Sequence, residues 1–218
     1  MKKILFLLVG CLLSVSLQAQ IMRAEELEKY AKEKYGEKWT EAAENLSKEL
    51  TLDKNNSLTY QQVVECGNQT KEQLYVILNH WFTESFNDAN SVIKLNDKDL
   101  GTIIGEGYVP DIAEHAGGFN YYKVSIRPVI KAEIKNGKIR VTYTIQYYNV
   151  YRKFMNNPPE MEKWAIDTCF PFVEKDKHKA KQTSSKALVM AHAYSNVIMD
   201  KIEEAVKHGL VGNENDNW

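Results

Sequence analysis

The feature that most constrains this chain is a pair of alternating segments joined by Asn136-Gly137. Val124, Ile126, Pro128, Ile130, Ala132 and Ile134 alternate with Lys123, Ser125, Arg127, Val129, Lys131 and Glu133. Beyond the Asn-Gly pair, Ile139, Val141, Tyr143, Ile145 and Tyr147 alternate with Arg140, Thr142, Thr144, Gln146 and Tyr148. Successive side chains of a strand point to opposite faces, so this period of two gives each segment one apolar and one polar face. Asn-Gly is the preferred pair for a type I′ two-residue turn. The segment therefore predicts an antiparallel hairpin in a sheet covered on one side only. Pro128 has no N–H to give to a ladder and predicts an edge position or a bulge there.

Two helical patterns supply the cover. Thr70 with Gln73 forms a capping box, in which hydroxyl and amide satisfy helix N–H groups that lack intrahelical partners. Leu74, Ile77, Leu78, Trp81, Phe82 and Phe86 follow as a broad apolar face. Near the end of the chain, Leu188, Ala191, Ser195, Ile198, Ile202 and Ala205 mark a second buried stripe. Ser184 or Ser185 is its expected cap and Gly209 its stop. Strands are expected at Leu58–Cys66, Ser91–Leu95 and Leu100–Tyr108, with Gly101, Gly105 and Gly107 predicting a bulge or bend in the last. Trp164–Phe172 is expected to add a strand or a packed segment, and residues 111–115 a loop. The expected class is α+β: a curved antiparallel sheet with two helices on one face, in the order β-α-β-β-β-β-α.

Residues 20–56 read as a helical arm. Leu27, Tyr30 and Ala31 share one stripe, and Trp39, Ala42, Ala43, Leu46 and Leu50 a second. Gly36 separates them. The expected division is a leader at 1–19, the arm at 20–56, the α+β domain at 57–209 and a tail at 210–218.

The leader reading rests on Met1-Lys2-Lys3, an apolar run from Ile4 to Leu17, and Ala19 before Gln20, the pattern of a cleavable secretory signal. A rival reading lies inside it: Leu8-Val9-Gly10-Cys11 matches a lipobox, which would anchor the protein through a lipidated Cys11. Either way the protein is expected outside the cytoplasm, periplasmic or extracellular, and not as an integral membrane protein. Removing residues 1–19 takes Lys2 and Lys3, and no acid, from 28 basic and 29 acidic residues; the net charge moves from −1 to −3. A nucleic-acid binder needs a dominant basic surface to displace counterions, so that class is excluded.

No cofactor, metal or catalytic signature stands out. Cys66 and Cys169 are the only cysteines beyond the leader, and export leaves two readings open: a bridge between them or two buried thiols. Asp111, Glu114 and His115 are close in sequence but lack metal-ligand spacing. His80 and His192 read as helix-flank residues. Ser184-Ser185-Lys186 reads as a helix start rather than Ser-Lys chemistry. The polar side of the hairpin is the candidate binding surface: Lys123, Arg127, Lys131, Arg140 and Tyr148 project from it on the alternation above, with Thr142, Thr144 and Gln146 between them. Such a face suits an anionic or sugar-like ligand, although any one-sided sheet is polar outside.

The stretch Thr70–Gly107, with its helix Tyr75–Phe86, then Ala89-Asn90-Ser91-Val92-Ile93 and Gly101-Thr102-Ile103-Ile104-Gly105-Glu106-Gly107, resembles a domain family of unknown function. Its members are exported proteins of Bacteroidota with a TATA-binding-protein-like fold. The likeness extends over roughly residues 57–209. It implies a fold and carries no catalytic residues, and fold does not fix function. The expectation is a non-catalytic module for a small ligand or an envelope protein. An exported hydrolase and a self-assembly module built on the arm are the alternatives.

Overall fold

The computed structural model describes residues 21–86, 92–169 and 181–209. The expected leader with Cys11, residues 89–91, most of the basic run from Lys175 and the expected tail at 210–218 lie outside the described residues. The elements are α1 (Ala24–Tyr35), α2 (Trp39–Glu49), β1 (Leu58–Glu65), α3 (Lys71–Ser85), β2 (Ile93–Asp97), β3 (Thr102–Glu106), β4 (Val109–Gly117), β5 (Asn120–Ile126), β6 (Val129–Lys135), β7 (Lys138–Ile145), β8 (Tyr147–Phe154), β9 (Glu160–Ala165), α4 (Ile166–Cys169) and α5 (Lys181–His208).

All strand pairs are antiparallel. One sheet has the order β1-β7-β6-β3-β2 and the other β4-β5-β8-β9. Three runs cross from one sheet to the other: β3 into β4, β5 into β6, and β7 into β8. The hairpin read from the sequence is thus real but bent in the middle. Pro128 sits at the bend rather than at an edge, where no ladder N–H is required, and its carbonyl accepts from Gly107 N at 2.9 Å.

The bend carries an extra residue. Ile126 pairs with Tyr148 and Val129 with Thr144, so Arg127 and Pro128 stand opposite Ile145, Gln146 and Tyr147. A bulge of one residue flips every later side chain to the other face. Ile145 and Tyr148 are therefore both buried. This corrects the expectation for Tyr148, which lies in the core at 1% exposure instead of on the polar face. Tyr147 turns outward in its place, beneath the Lys163 ammonium, 4.1 Å from the ring centre.

The turn at Asn136-Gly137 also differs from expectation. Type I′ needs positive φ at both residues, and only Gly137 has it, at 74°. Tertiary bonds set the conformation instead. Asn136 Oδ1 accepts from Lys71 N at 2.8 Å, and Gly137 bonds both Cys66 N and Gln69 O.

β4 was expected to be a loop. Its alternation is broken by a bulge between Val109 and Ala113, where Asp111 has φ 51°, so its period is hard to see in sequence. Glu114 and His115, as strand neighbours, point to opposite faces.

Helices α3 and α5 pack on the inner face of the sheets, as the apolar patterns predict. Thr70 and Gln73 make the reciprocal capping bonds, at 3.3 and 2.9 Å. Gly105 allows α3 to come close: a Cβ there would lie 2.6 Å from Phe82 Cε1. α5 begins before the expected cap, so Ser184 and Ser185 are buried within it. Cys66 and Cys169 are each buried as thiols, and no bridge joins them.

The arm folds back onto α5. Leu27, Ala31, Ala42, Ala43 and Leu46 are buried there, which spends its apolar stripes inside the molecule. Glu28 accepts from Lys186 of α5 at 2.7 Å and pairs with Lys32 at 3.0 Å. Burial pushes the Glu28 carboxyl up, but the two ammonium groups outweigh it and hold it below its ordinary value. Among the described residues, no helix is long and apolar enough to cross a membrane.

Candidate functional site

The outer face of the first sheet holds two of the four basic residues the sequence singles out, Lys131 and Arg140, and one carboxylate pairs with both. Arg140 reaches Glu133 at 2.8 Å and Lys131 reaches the same carboxylate at 3.1 Å. These cations hold the Glu133 carboxyl below its ordinary value, Arg140 most strongly. Arg127, at the bend, pairs with Glu106 at 3.4 Å. The hydroxyls between them are bonded too. Thr144 meets Thr59, which donates to Asp53, and Thr142 accepts from Gln61. Exposed ion pairs are worth little energetically, and with two cations on one carboxylate the Lys131–Arg140–Glu133 trio keeps a net charge of +1.

Lys123 belongs to another place. It projects from the outer face of the second sheet and bonds Asp111 at 3.3 Å. The Asp111 carboxylate beside it raises the Lys123 pKa. Around this pair, Tyr108, Tyr121, Tyr151, Met161 and Ser125 line a cleft of about 460 Å³. That volume is within the range of small-ligand sites, roughly 300–1,000 Å³. Cross-strand register builds it: Lys123 lies opposite Tyr151, which lies opposite Met161. Tyr121 meets Tyr151 edge-on, with ring centres 6.3 Å apart. Arg127 stacks over Tyr108, 4.9 Å from its centre, and fixes that wall. Tyr108 and Met161 are exposed, at 53% and 69%.

The structure thus separates the proposed set. Lys131 and Arg140 sit on the first sheet, Lys123 in the cleft, Arg127 at the bend beside Tyr108, and Tyr148 in the core. Tyr108, Tyr121, Tyr151 and Met161 were missed. The signal for Tyr121 and Tyr151 was present in Asn120-Tyr121-Tyr122-Lys123 and Tyr147-Tyr148-Asn149-Val150-Tyr151, but the bulge decides which tyrosines of β8 face out.

Other candidates are structural. His80 lies 3.5 Å from Glu84 on an exposed helix face. His192 is part-buried between Tyr35 and Tyr60: Nδ1 is 3.2 Å from the Tyr60 hydroxyl, and the Asn196 amide nitrogen is 3.4 Å from Nε2. Burial chiefly, and Lys34 secondarily, push its pKa down to about 4. Among the described residues, no group of three or more His, Cys, Asp or Glu could hold a metal ion.

An antiparallel sheet with two helices on one face and an open outer face defines the class. Residues 60–149 match the family described as a domain of unknown function (DUF4468) with TBP-like fold. A TBP-like protein from Parabacteroides distasonis is similar in structure, with TM-score 0.51 and 15% identity over 70% of this chain and 95% of that one. A DUF4468 family protein from Bacteroides ovatus aligns with TM-score 0.45 and 11% identity, over 70% and 90%. The first likeness speaks for the fold alone. No curated protein matches the chain.

Proposed function

We propose that this chain is an exported, non-catalytic binding protein whose ligand lies in the tyrosine-lined cleft on the outer face of the second sheet. The observation that carries this reading is the convergence of Tyr108, Tyr121 and Tyr151 around the Lys123–Asp111 pair. Tyrosine supplies a large apolar surface with a polar tip at little entropic cost, which is what a pocket needs for both affinity and orientation. Export rests on the leader sequence, and a mature N-terminus at Gln20 is its test. Assembly through the arm is disfavoured because the arm's apolar stripes are spent against α5.

A thermal-shift panel of sugars, amino acids, nucleotides and organic acids tests the site, since a ligand that binds only the folded state raises its stability. A stabilising compound should lose its effect in Tyr151→Ala and keep it in Arg140→Ala. Loss in Arg140→Ala instead would move the site to the first sheet. Conversion of a hit to product would sink the non-catalytic reading.

A further inference from the structure

The cleft does not end at Tyr121. A second hollow of about 400 Å³ shares that tyrosine and continues to the hairpin tips, where Phe119, Lys153 and Met155 line it. Met155 N bonds Phe119 O at 2.9 Å, which ties the two tips together. Phe119 and Met155 are exposed. From Ser125 to Phe119 the groove follows β5 and its turn for six residue-to-residue steps, about 20 Å at the rise of a strand. That length exceeds a single small ring and suits a linear ligand.

Resting on the binding reading above, we propose that the occupant is a neutral glycan chain several sugar rings long. Three observations select this chemistry. First, the groove alternates apolar and aromatic surface (Tyr108, Tyr151, Tyr121, Phe119) with groups that both donate and accept. A pyranose has the matching character, with a C–H face to lie on a ring and hydroxyls that need both kinds of partner.

Second, two amides hold unspent hydrogen-bonding atoms. Asn149 Nδ2, in the row of Ser125, and Asn120 Oδ1, at the second hollow, are shielded from solvent and have no partner among the described residues, so a ligand reaches them once the amides turn outward. Enclosed polar atoms of this kind call for a partner. Third, the charge is nearly balanced. Lys123 is paired with Asp111, which leaves Lys153 as the one cation of the lining without an ion pair among the described residues. A polyanion would be matched by a row of cations, which this groove does not offer.

An extended peptide fits less well. Peptides that dock on sheets take their main-chain bonds from an edge. The groove floor is β5 and β8, each already paired on both sides.

The test uses neutral linear oligosaccharides (β-1,4-glucan, α-1,4-glucan, β-1,4-mannan and β-1,4-xylan series) titrated calorimetrically into the mature full chain. At least one series should bind, tighten with chain length, and be insensitive to salt. Tyr121→Ala, which removes the ring shared by both hollows, should weaken the longest member by about tenfold or more. Tyr121→Phe should keep most of the affinity. Tyr108→Ala, at an exposed position, is the second variant should Tyr121→Ala fail to fold.

Binding by none of the four series overturns the glycan assignment. A single sugar binding as tightly as the chain overturns the extended groove. Peptide binding lost in the tyrosine variants would overturn the ligand class while leaving the cleft reading intact. If no compound of any class responds to those variants, the cleft reading itself falls.

Discussion

Acid should loosen this protein through His192, and the size of the effect follows from its surroundings. The ring lies on α5 between Tyr60 of β1 and Tyr35 of the arm, with ring centres 5.4 and 5.3 Å away. The Asn196 amide nitrogen points at Nε2, so the neutral ring accepts there and donates from Nδ1 to Tyr60. A second proton would set two donors against each other, close to Lys34. The pKa is accordingly lowered from 6.5 to about 4. Between those values the unfolded chain binds a proton that the folded chain refuses. Stability is then full above 6.5 and is lost as the pH falls towards 4.

Each tenfold difference in proton affinity is worth about 1.4 kcal/mol, so moving from pH 7 to 5 costs at most about 2 kcal/mol. Partial exposure of the ring reduces this to about 1 kcal/mol. The carboxylates lowered by hydrogen bonds or cations, such as Glu28, Asp53 and Glu203, lose their contribution only below the ordinary carboxylate range. Urea unfolding at pH 7 and pH 5, for the wild type and His192→Gln, isolates the effect because the other histidines are common to both. The variant should lose less stability on acidification by about 1 kcal/mol. Equal losses in the two proteins would refute the reasoning.

Two further perturbations test the core. The Tyr143 hydroxyl is fully enclosed and has no hydrogen-bond partner among the described residues, so Tyr143→Phe should raise stability by about 1 kcal/mol in urea unfolding. A loss of that size would reveal an unrecognised partner. Gly105→Ala should cost about 1–3 kcal/mol, because its methyl group meets Phe82 of α3 and the close packing has no room; an unchanged midpoint would show that α3 can shift.

What the sequence made legible is what local chemistry decides. The Thr70–Gln73 box, the arm stripes and the alternation through Ile134 and Ile139 depend on neighbours within a turn or a strand, and the structure agrees with them. What it hid depends on partners far along the chain. Asp111 and Glu106 neutralise Lys123 and Arg127 through pairings that no spacing reveals. Ser184 and Ser185 resemble caps because the helix start is ambiguous, yet α5 runs past them. The candidate site needed both kinds of knowledge: the tyrosines were visible, but the faces of those in β8 were assigned by a single unpaired position near Gln146.

That position makes the two surfaces of the molecule interdependent. A slip of β8 by one residue that absorbed the bulge, with the chain length unchanged, would restore an uninterrupted period of two from Ile145 through β8. Tyr148 and Val150 would then turn to solvent, while Tyr147, Asn149 and Tyr151 would be driven into the packing of α5. The core would lose its filling and the groove its floor in one step. The unpaired position near Gln146 therefore holds core and groove in phase with each other across the bend.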